Sequence, residues 1–185
     1  MPNKTMRNPS RHKTIFLLKK IVKMSIESFT ILCRRRKWED AERMLHQDPS
    51  TMWTRDVHNI VGAYYVVLND NIALLTKMYD TIISLDEPSE RKEQLLRDTF
   101  ERAEHRRVTP LFTISTPETL LWMIEHCPSK EAILEFGTYD DDTVAHDVAA
   151  RDCINVLELI ARRSPSGIRS LMRRNEWGMT PISYI

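Results

Sequence analysis

The sequence predicts an all-α protein in which short pairs of helices recur along the chain and stack on one another. Apolar residues return at the same offsets from five starting positions, Glu27, Val61, Thr109, Thr143 and Thr180, which are 34, 48, 34 and 37 residues apart. A second apolar stripe with helical spacing follows each of the first four starts. With 42% apolar and 29% charged residues, the 185-residue chain also has the composition of a globular protein with a buried core.

The first stripe predicts a short helix directly after each start. Apolar or small residues stand two, five and six positions after the starts, and this i, i+3, i+4 spacing places them on one helix face. They are Phe29, Leu32 and Cys33; Ala63, Val66 and Val67; Leu111 and Ile114; Ala145, Val148 and Ala149; and Ile182 and Ile185.

The second stripe predicts a longer helix in each of the first four units. Trp38 stands near the beginning of the first of these helices and Pro49 is expected to end it. The apolar positions are Ala41, Met44 and Leu45; Leu74, Leu75, Met78 and Tyr79; Leu120, Leu121 and Ile124; and Val156, Leu157, Ile160 and Ala161. Helix pairs this short cannot bury their apolar faces alone, so they are expected to stack.

Between the second and third units the chain has about a dozen residues more than the expected period. Residues 87–106 are interpreted as an inserted amphipathic helix on the loop side of the stack. Its apolar side would carry Leu95, Leu96, Phe100 and Ala103.

Residues 1–25 form a basic N-terminal arm. They hold seven Lys and Arg and no acid, whereas the other 160 residues carry 20 basic and 26 acidic side chains. The arm is interpreted as a basic tail whose apolar residues cover the first unit; a mitochondrial targeting segment or a weak membrane-surface helix are alternatives. The three scattered cysteines, Cys33, Cys127 and Cys153, argue against a disulfide framework and fit a reducing compartment.

Three segments resemble the T-P-L-H-x-A motif of ankyrin repeats: "VTPLFTI" at 108–114, "DTVAHDVAA" at 142–150 and "GMTPISYI" at 178–185. The resemblance covers residues 26–185 and implies an α-solenoid of stacked helix-turn-helix ankyrin-like repeats. The units are 26–50, 53–82, 107–136, 140–171 and a partial 175–185. His146 occupies the motif's His position, where the family implies a structural role within its own turn.

The chain departs from the ankyrin pattern at its turns. It has only four glycines, and Arg36, Asp70 and Asp152 stand in the inter-helix turn, where left-handed backbone favours Gly or Asn. Val144 replaces the motif's Pro. The apolar Ile182 and Ile185 predict either a truncated fifth unit or a partner that covers that end.

No catalytic constellation is found, and no cofactor or metal site is predicted. His126 and Cys127 are adjacent on one predicted helix and therefore point in different directions. "YDDDT" could hold a cation, but the favoured interpretation is a hairpin whose Asp142 caps the next helix. "CRRRK" at 33–37 is interpreted as a charged turn, with phosphate binding or a localisation signal as alternatives.

The predicted function is non-catalytic binding of a partner protein through aligned loop tips and the concave helix face. Exposed Trp, Tyr and Arg often anchor interfaces, and the candidate residues are Trp53, Arg55, Asp56, Tyr139, Asp140, Asp141, Glu176 and Trp177. For Trp53 and Trp177, packing against a neighbouring loop is an equal alternative.

The alternative function is a regulatory or targeting part of a larger protein whose basic arm addresses an anionic membrane or an organelle. An enzyme on an unrecognised helical fold is a third hypothesis, without support from particular residues. A monomer in the cytoplasm is expected, with nuclear and mitochondrial locations as alternatives, and nucleic acid is not expected as a partner.

Overall fold

A computed structural model describes residues 27–101, 109–138, 140–163 and 165–185. The described residues are mostly helical and contain no β-strand. The basic arm at 1–25, Ala103 and the rest of the insert beyond residue 101, and Tyr139 lie outside the described residues.

Nine α-helices lie in the described ranges: α1 Phe29–Arg34, α2 Trp38–Gln47, α3 Gly62–Leu68, α4 Ile72–Ser84, α5 Ser89–Leu96, α6 Pro117–His126, α7 Val144–Ala150, α8 Ile154–Arg162 and α9 Pro165–Met172. Shorter helical segments are the 3₁₀ helices Pro49–Trp53, Pro110–Thr113, Lys130–Glu135 and Pro181–Tyr184, and the π-helical turn Arg97–Glu101. No described helix combines the length and the apolar character needed to cross a bilayer.

The helices that follow the five starts contact one another in chain order. α1 contacts α3, α3 contacts Pro110–Thr113, that segment contacts α7, and α7 contacts Pro181–Tyr184. At the first of these contacts, a Cβ on Gly62 would lie 2.5 Å from the Phe29 ring, so only glycine allows this approach. The longer helices form a parallel series, in which α2 contacts α4, α4 contacts α6, and α6 contacts α8.

The core follows the predicted stripes in the first four units. The residues two and five positions after each start are at most 3% exposed there, namely Phe29, Leu32, Ala63, Val66, Leu111, Ile114, Ala145 and Val148. In the fifth unit, by contrast, Ile182 and Ile185 are 64% and 69% exposed. Most of the second stripe is also buried, but the prediction for Ala161 was wrong: it is exposed on α8, because the buried face of that helix runs through Val156, Leu157 and Ile160.

The turns between paired helices have the predicted left-handed backbone. Arg36, Asp70 and Asp152 have φ of 56°, 51° and 57°. Each donates its backbone N–H to the carbonyl three residues back, at 2.9–3.0 Å. The next residue in each turn bonds the carbonyl five residues back, which closes the first helix in the same way in three units.

A third helical segment follows each longer helix, whereas the sequence pattern indicated one only in the second unit. These segments are Pro49–Trp53, Ser89–Glu101, Lys130–Glu135 and Pro165–Met172. All but the second span only five to eight residues, too few to show a helical period in the sequence. The insert itself begins at Ser89 and buries Leu95, Leu96 and Phe100 as predicted.

The third unit opens with a four-residue 3₁₀ helix instead of the predicted α-helix. Pro117 disfavours helical backbone at the preceding residue, so the helix that starts at Pro110 cannot run on into α6. The Arg151 guanidinium of the next unit donates to the carbonyls of Phe112 and Thr113, both at 3.0 Å. These bonds satisfy the open end of the short helix.

Candidate protein-binding surface

Three hairpins with the same hydrogen-bond frame precede the helices of the second, fourth and fifth units. In each, the first residue donates its N–H to the carbonyl four residues on and accepts from the N–H three residues on, with N–O distances of 2.8–3.2 Å. The first residues are Asp56, Thr138 and Asn175. The fourth residue is left-handed each time, with φ of 62° at Asn59, 61° at Asp141 and 75° at Gly178.

A polar side chain at the first hairpin position stabilises each tip from within. One Asp56 carboxylate oxygen accepts from the N–H groups of His58 and Ile60, at 2.8 and 3.1 Å. The Asn175 side-chain oxygen accepts in the same way from the N–H groups two and four residues on, and the Thr138 hydroxyl accepts from Asp142. The tips are therefore ordered before any partner arrives, which lowers the entropy lost on binding.

The hairpins of the fourth and fifth units are joined to each other. The Glu176 N–H donates to the Asp140 carbonyl at 3.0 Å. The Asn175 side-chain amide donates to the Asp142 carboxylate at 2.8 Å. The two tips consequently form one continuous surface.

His146 connects this pair of hairpins to α7. Its Nδ1 accepts from the Thr143 N–H at 2.9 Å, and its Nε2 lies 3.1 Å from the Met179 carbonyl, to which it donates. The predicted structural role of His146 is confirmed, and the bond to Met179 extends it into the next hairpin. The predicted cap at Asp142 was wrong: Thr143 and His146 form the cap of α7, while the Asp142 carboxylate accepts from Asn175.

The predicted residues of the second unit lie on or beside its hairpin. Arg55 is exposed and donates to the Asn59 carbonyl at 3.1 Å, and Asp56 accepts from the Tyr65 hydroxyl at 2.7 Å. Trp53 ends a 3₁₀ helix before the hairpin; it is half-buried and its indole N–H donates to the Thr99 hydroxyl at 2.9 Å. Trp53 therefore packs against the insert, as the alternative interpretation of this residue predicted.

Trp53 and Arg55 also line one groove of about 600 Å³ between the hairpin and the insert. Pro49, Val61, Leu85 and Leu95 contribute apolar surface to it. Charged side chains of both signs border the groove: Asp48, Glu87, Arg91 and Asp98.

The predicted residues of the fourth and fifth units carry an acidic surface beside an exposed indole. Trp177 is 58% exposed and Glu176 and Asp141 are exposed, while Asp140 is half-buried. Partial desolvation and the neighbouring Asp140 raise the pKa of Glu176. Arg173 offsets part of this charge by donating to Asp141 at 2.9 Å.

Asp147, a half-buried carboxylate on α7, was not among the residues predicted from the sequence. Burial raises its pKa to about 6, with Asp142 adding to the effect and Arg151 opposing it. No hydrogen bond or ion pair from a described residue reaches the carboxylate, since the nearby Arg151 is bonded to backbone carbonyls. The signal in the sequence is one acid within the apolar run "VAHDVAA".

Tyr64 of α3 lies close enough to be affected by this carboxylate. Burial and the charge of Asp147 raise the pKa of the Tyr64 phenol. Both α3 and α7 contact the short helix Pro110–Thr113 of the third unit.

The other sequence candidates have structural roles. Burial, with a smaller contribution from Glu101, raises the pKa of the Cys127 thiol, which disfavours the nucleophilic thiolate. His126 stacks on Trp122 with 4.4 Å between ring centroids, and its Nδ1 bonds the Trp122 carbonyl. Within the described residues no group of three or more His, Cys, Asp or Glu could hold a metal ion.

The basic turn in the first unit is partly neutralised. Arg35 and Lys37 both pair with Glu27, and Arg34 lies 3.9 Å from Asp56. The structure therefore places acids beside three of the four basic residues, as expected for a charged turn.

No protein-family model matches the chain, and no curated protein or solved structure matches it either.

Proposed function

We propose that this chain is a non-catalytic protein-interaction module built as an ankyrin-like α-solenoid. The stepwise contacts within the two series of helices support the solenoid. So do left-handed turns at the same offset in three units. In a stack of this kind each unit adds a layer of core, and the loops align along one side.

The observation that best supports a binding function is that three hairpins share one pattern of backbone hydrogen bonds. Such a frame presents its tips in fixed positions, so a partner can bind without ordering them first. Two adjacent tips are joined and together present Asp140, Asp141, Glu176 and Trp177. An exposed indole beside carboxylates suits a partner surface with basic and apolar side chains.

The test is affinity capture from a cell extract with the full chain and the Trp177→Ala variant, quantified by mass spectrometry. Trp177→Ala is expected to reduce capture of specific partners about tenfold, the loss typical of an interface anchor. Its unfolding midpoint is expected to stay within about 2 °C of the parent, since the side chain is largely exposed. Ile83→Ala, at an exposed position on α4, is the matched control and should capture like the parent.

Two results would contradict the proposal. One is a set of captured proteins that does not change between the parent and Trp177→Ala. The other is a large decrease in the melting temperature of Trp177→Ala, which would show that Trp177 packs within the fold and is not available to contact a partner.

A further inference from the structure

Two helices of the stack carry a polar group that has no hydrogen-bond partner among the described residues. The groups are the carboxylate of Asp147 on α7 and the phenol of Tyr64 on α3, and both side chains are half-buried. None of their oxygens is completely shielded from solvent, so a ligand can reach them. A polar group that is partly desolvated without a partner costs free energy, and a ligand that supplies the partner recovers it.

Arg151 shows which side of the stack Asp147 faces. The two residues are four apart along α7 and its C-terminal end, so their side chains lie on the same side of the helix. The Arg151 guanidinium donates from Nη1 to the Thr113 carbonyl and from Nη2 to the Phe112 carbonyl, both at 3.0 Å. Asp147 is therefore on the side of α7 that faces the short helix Pro110–Thr113, which α3 also contacts.

Tyr64 is within electrostatic range of Asp147 and is held in place. Burial, and after it the charge of Asp147, raise the pKa of the Tyr64 phenol, while Arg151 opposes them. The Tyr64 ring meets the Tyr65 ring edge-to-face, with 5.3 Å between their centroids. The Tyr65 hydroxyl is in turn bonded to Asp56 at 2.7 Å. The phenol of Tyr64 is thus ordered before a ligand arrives.

The described residues provide no cation that pairs with the Asp147 carboxylate. Burial is the main cause of the raised pKa of Asp147; Arg151 lowers this pKa and Asp142 raises it. The Arg151 side chain is already engaged, because its Nε donates to the Asp147 carbonyl at 3.1 Å and its other two nitrogens donate to the third unit. Asp142 accepts from the neutral amide of Asn175, so its charge is not cancelled by that bond. Two carboxylates therefore act at this site against one guanidinium.

These properties select a cationic side chain as the ligand. A metal ion requires several oxygen ligands, and no three His, Cys, Asp or Glu in the part of the chain that the structure describes could hold one. An arginine or a lysine needs only one carboxylate, with which it forms charge-assisted hydrogen bonds. Because Asp147 is partly desolvated, it attracts a cation more strongly than a fully exposed acid would.

We propose that Asp147 and Tyr64 bind the side chain of an arginine or lysine that belongs to the partner protein. The Asp147 carboxylate accepts the charged hydrogen bonds, and the Tyr64 oxygen accepts a further one. The inference rests on the proposed binding function and adds to it the chemistry of one contact. That contact lies on the helices and not at the hairpin that carries Trp177.

The experiment is the selection of peptides from a random library displayed on phage, with the purified full chain as the target. Peptides that bind the parent chain are expected to carry an arginine or lysine at one fixed position relative to their apolar residues. In the tightest of them, replacement of this basic residue by glutamine should weaken binding about tenfold, as expected for the loss of a charged hydrogen bond. Fluorescence anisotropy of the labelled peptides gives the dissociation constants.

Variants of the chain locate the basic residue. Asp147→Asn keeps the size of the side chain and should bind the basic peptide and its glutamine version equally; it removes a charge that burial disfavours, so its loss of binding is not a loss of folding. Tyr64→Phe changes no charge and should weaken binding of the basic peptide about fivefold. Asp80→Asn removes a charge from an exposed position on α4 and is the matched control, expected to bind like the parent.

The inference is overturned if Asp147→Asn still prefers the basic peptide about tenfold over its glutamine version, because the basic residue is then recognised elsewhere. Unchanged binding by Tyr64→Phe would overturn the role assigned to the phenol. Trp177→Ala separates the two proposals: peptides that are lost with Trp177→Ala and kept by Asp147→Asn contradict this inference and support the proposed function. If the parent chain selects no peptide, both proposals fail.

Discussion

Asp147 is a carboxylate whose ionisation is expected to destabilise the fold. Its pKa is raised to about 6 by burial, from 3.8 in the unfolded chain. At pH values below the unfolded-state pKa, Asp147 is protonated in both the folded and the unfolded chain, so it does not change the free energy of unfolding. As pH rises from about 4 to about 6.5 the unfolded chain releases its proton more readily, so the free energy of unfolding falls.

Asp147→Asn should therefore stabilise the protein by about 1–2 kcal/mol at pH 7.5 and change little at pH 3.8. The figure is below the full linkage value because the group is partly exposed and lies in the first turn of a helix, where a negative charge is favourable. Urea denaturation at several pH values measures the difference. Asp80→Asn, at an exposed position on α4, is the matched control. An Asp147→Asn profile that stays parallel to the parent's would contradict the assignment.

The residue scale also shows what a sequence can and cannot predict. The role of His146 could be predicted because a cap joins residues three apart, so both partners stand in one short motif. Asp142 was misassigned because its partner, Asn175, lies 33 residues away in the next hairpin. Trp53 likewise bonds Thr99, 46 residues further along the chain. Contacts between units cannot be seen in the periodicity of either unit alone.

At the scale of the element, two turns with the same backbone are expected to respond oppositely to glycine. Arg36 and Asp70 have φ of 56° and 51°. The Arg36 side chain makes no hydrogen bond or ion pair with a described residue, whereas the Asp70 carboxylate accepts from three hydroxyls at the start of α6. Their oxygen–oxygen distances are 2.6 Å to Ser115, 2.9 Å to Thr116 and 2.8 Å to Thr119.

Arg36→Gly should raise the free energy of unfolding by about 0.5–1 kcal/mol, because glycine adopts this conformation without strain. Asp70→Gly should lower it by about 1–3 kcal/mol, since the loss of three hydrogen bonds to a charged group outweighs the relief of strain. Asp70→Asn, which keeps a side-chain acceptor, should fall between the parent and Asp70→Gly. Urea midpoints of the variants give these values, and a gain from Asp70→Gly would show that the hydroxyls contribute nothing.

The position and the buried side of a helix could be predicted from the sequence where the helix is long enough to show an apolar stripe. Helices α2, α4, α6 and α8 show an apolar stripe over nine residues or more, which sets their position and their buried side. The third helical segment of most units is too short to carry such a stripe. The length of the helix at Pro110–Thr113 was overestimated, because the apolar stripe takes no account of Pro117, which prevents this helix from continuing into α6.

At the scale of the whole molecule, side chains of the insert form hydrogen bonds to residues on either side of it in the stack. These bonds connect the first part of the stack to the third unit. Thr99 of the insert accepts from Trp53, which opens the second unit and ends the 3₁₀ helix that contacts α1 and α2 of the first. The Glu101 carboxylate of the insert accepts from the Ser129 N–H and hydroxyl in the third unit, both at 2.7 Å. Glu101 is only 9% exposed, so these bonds are largely shielded from water. These hydrogen bonds predict that the first and third units unfold together, although stacked repeats can unfold separately.

Cys33 and Cys127 can report on this coupling because they lie in the first and third units and are at most 1% exposed. Burial raises the pKa of Cys33 to about 12 and raises that of Cys127, so neither thiol should react while its unit is folded. Cys153, which is half-buried, should be alkylated in the native protein. Pulse alkylation at increasing urea concentration, followed by peptide mass spectrometry, should give one common midpoint for Cys33 and Cys127. Glu101→Ala should separate the two midpoints, with Cys127 labelled at the lower urea concentration. Two separate midpoints in the parent chain would mean that the insert does not couple the units.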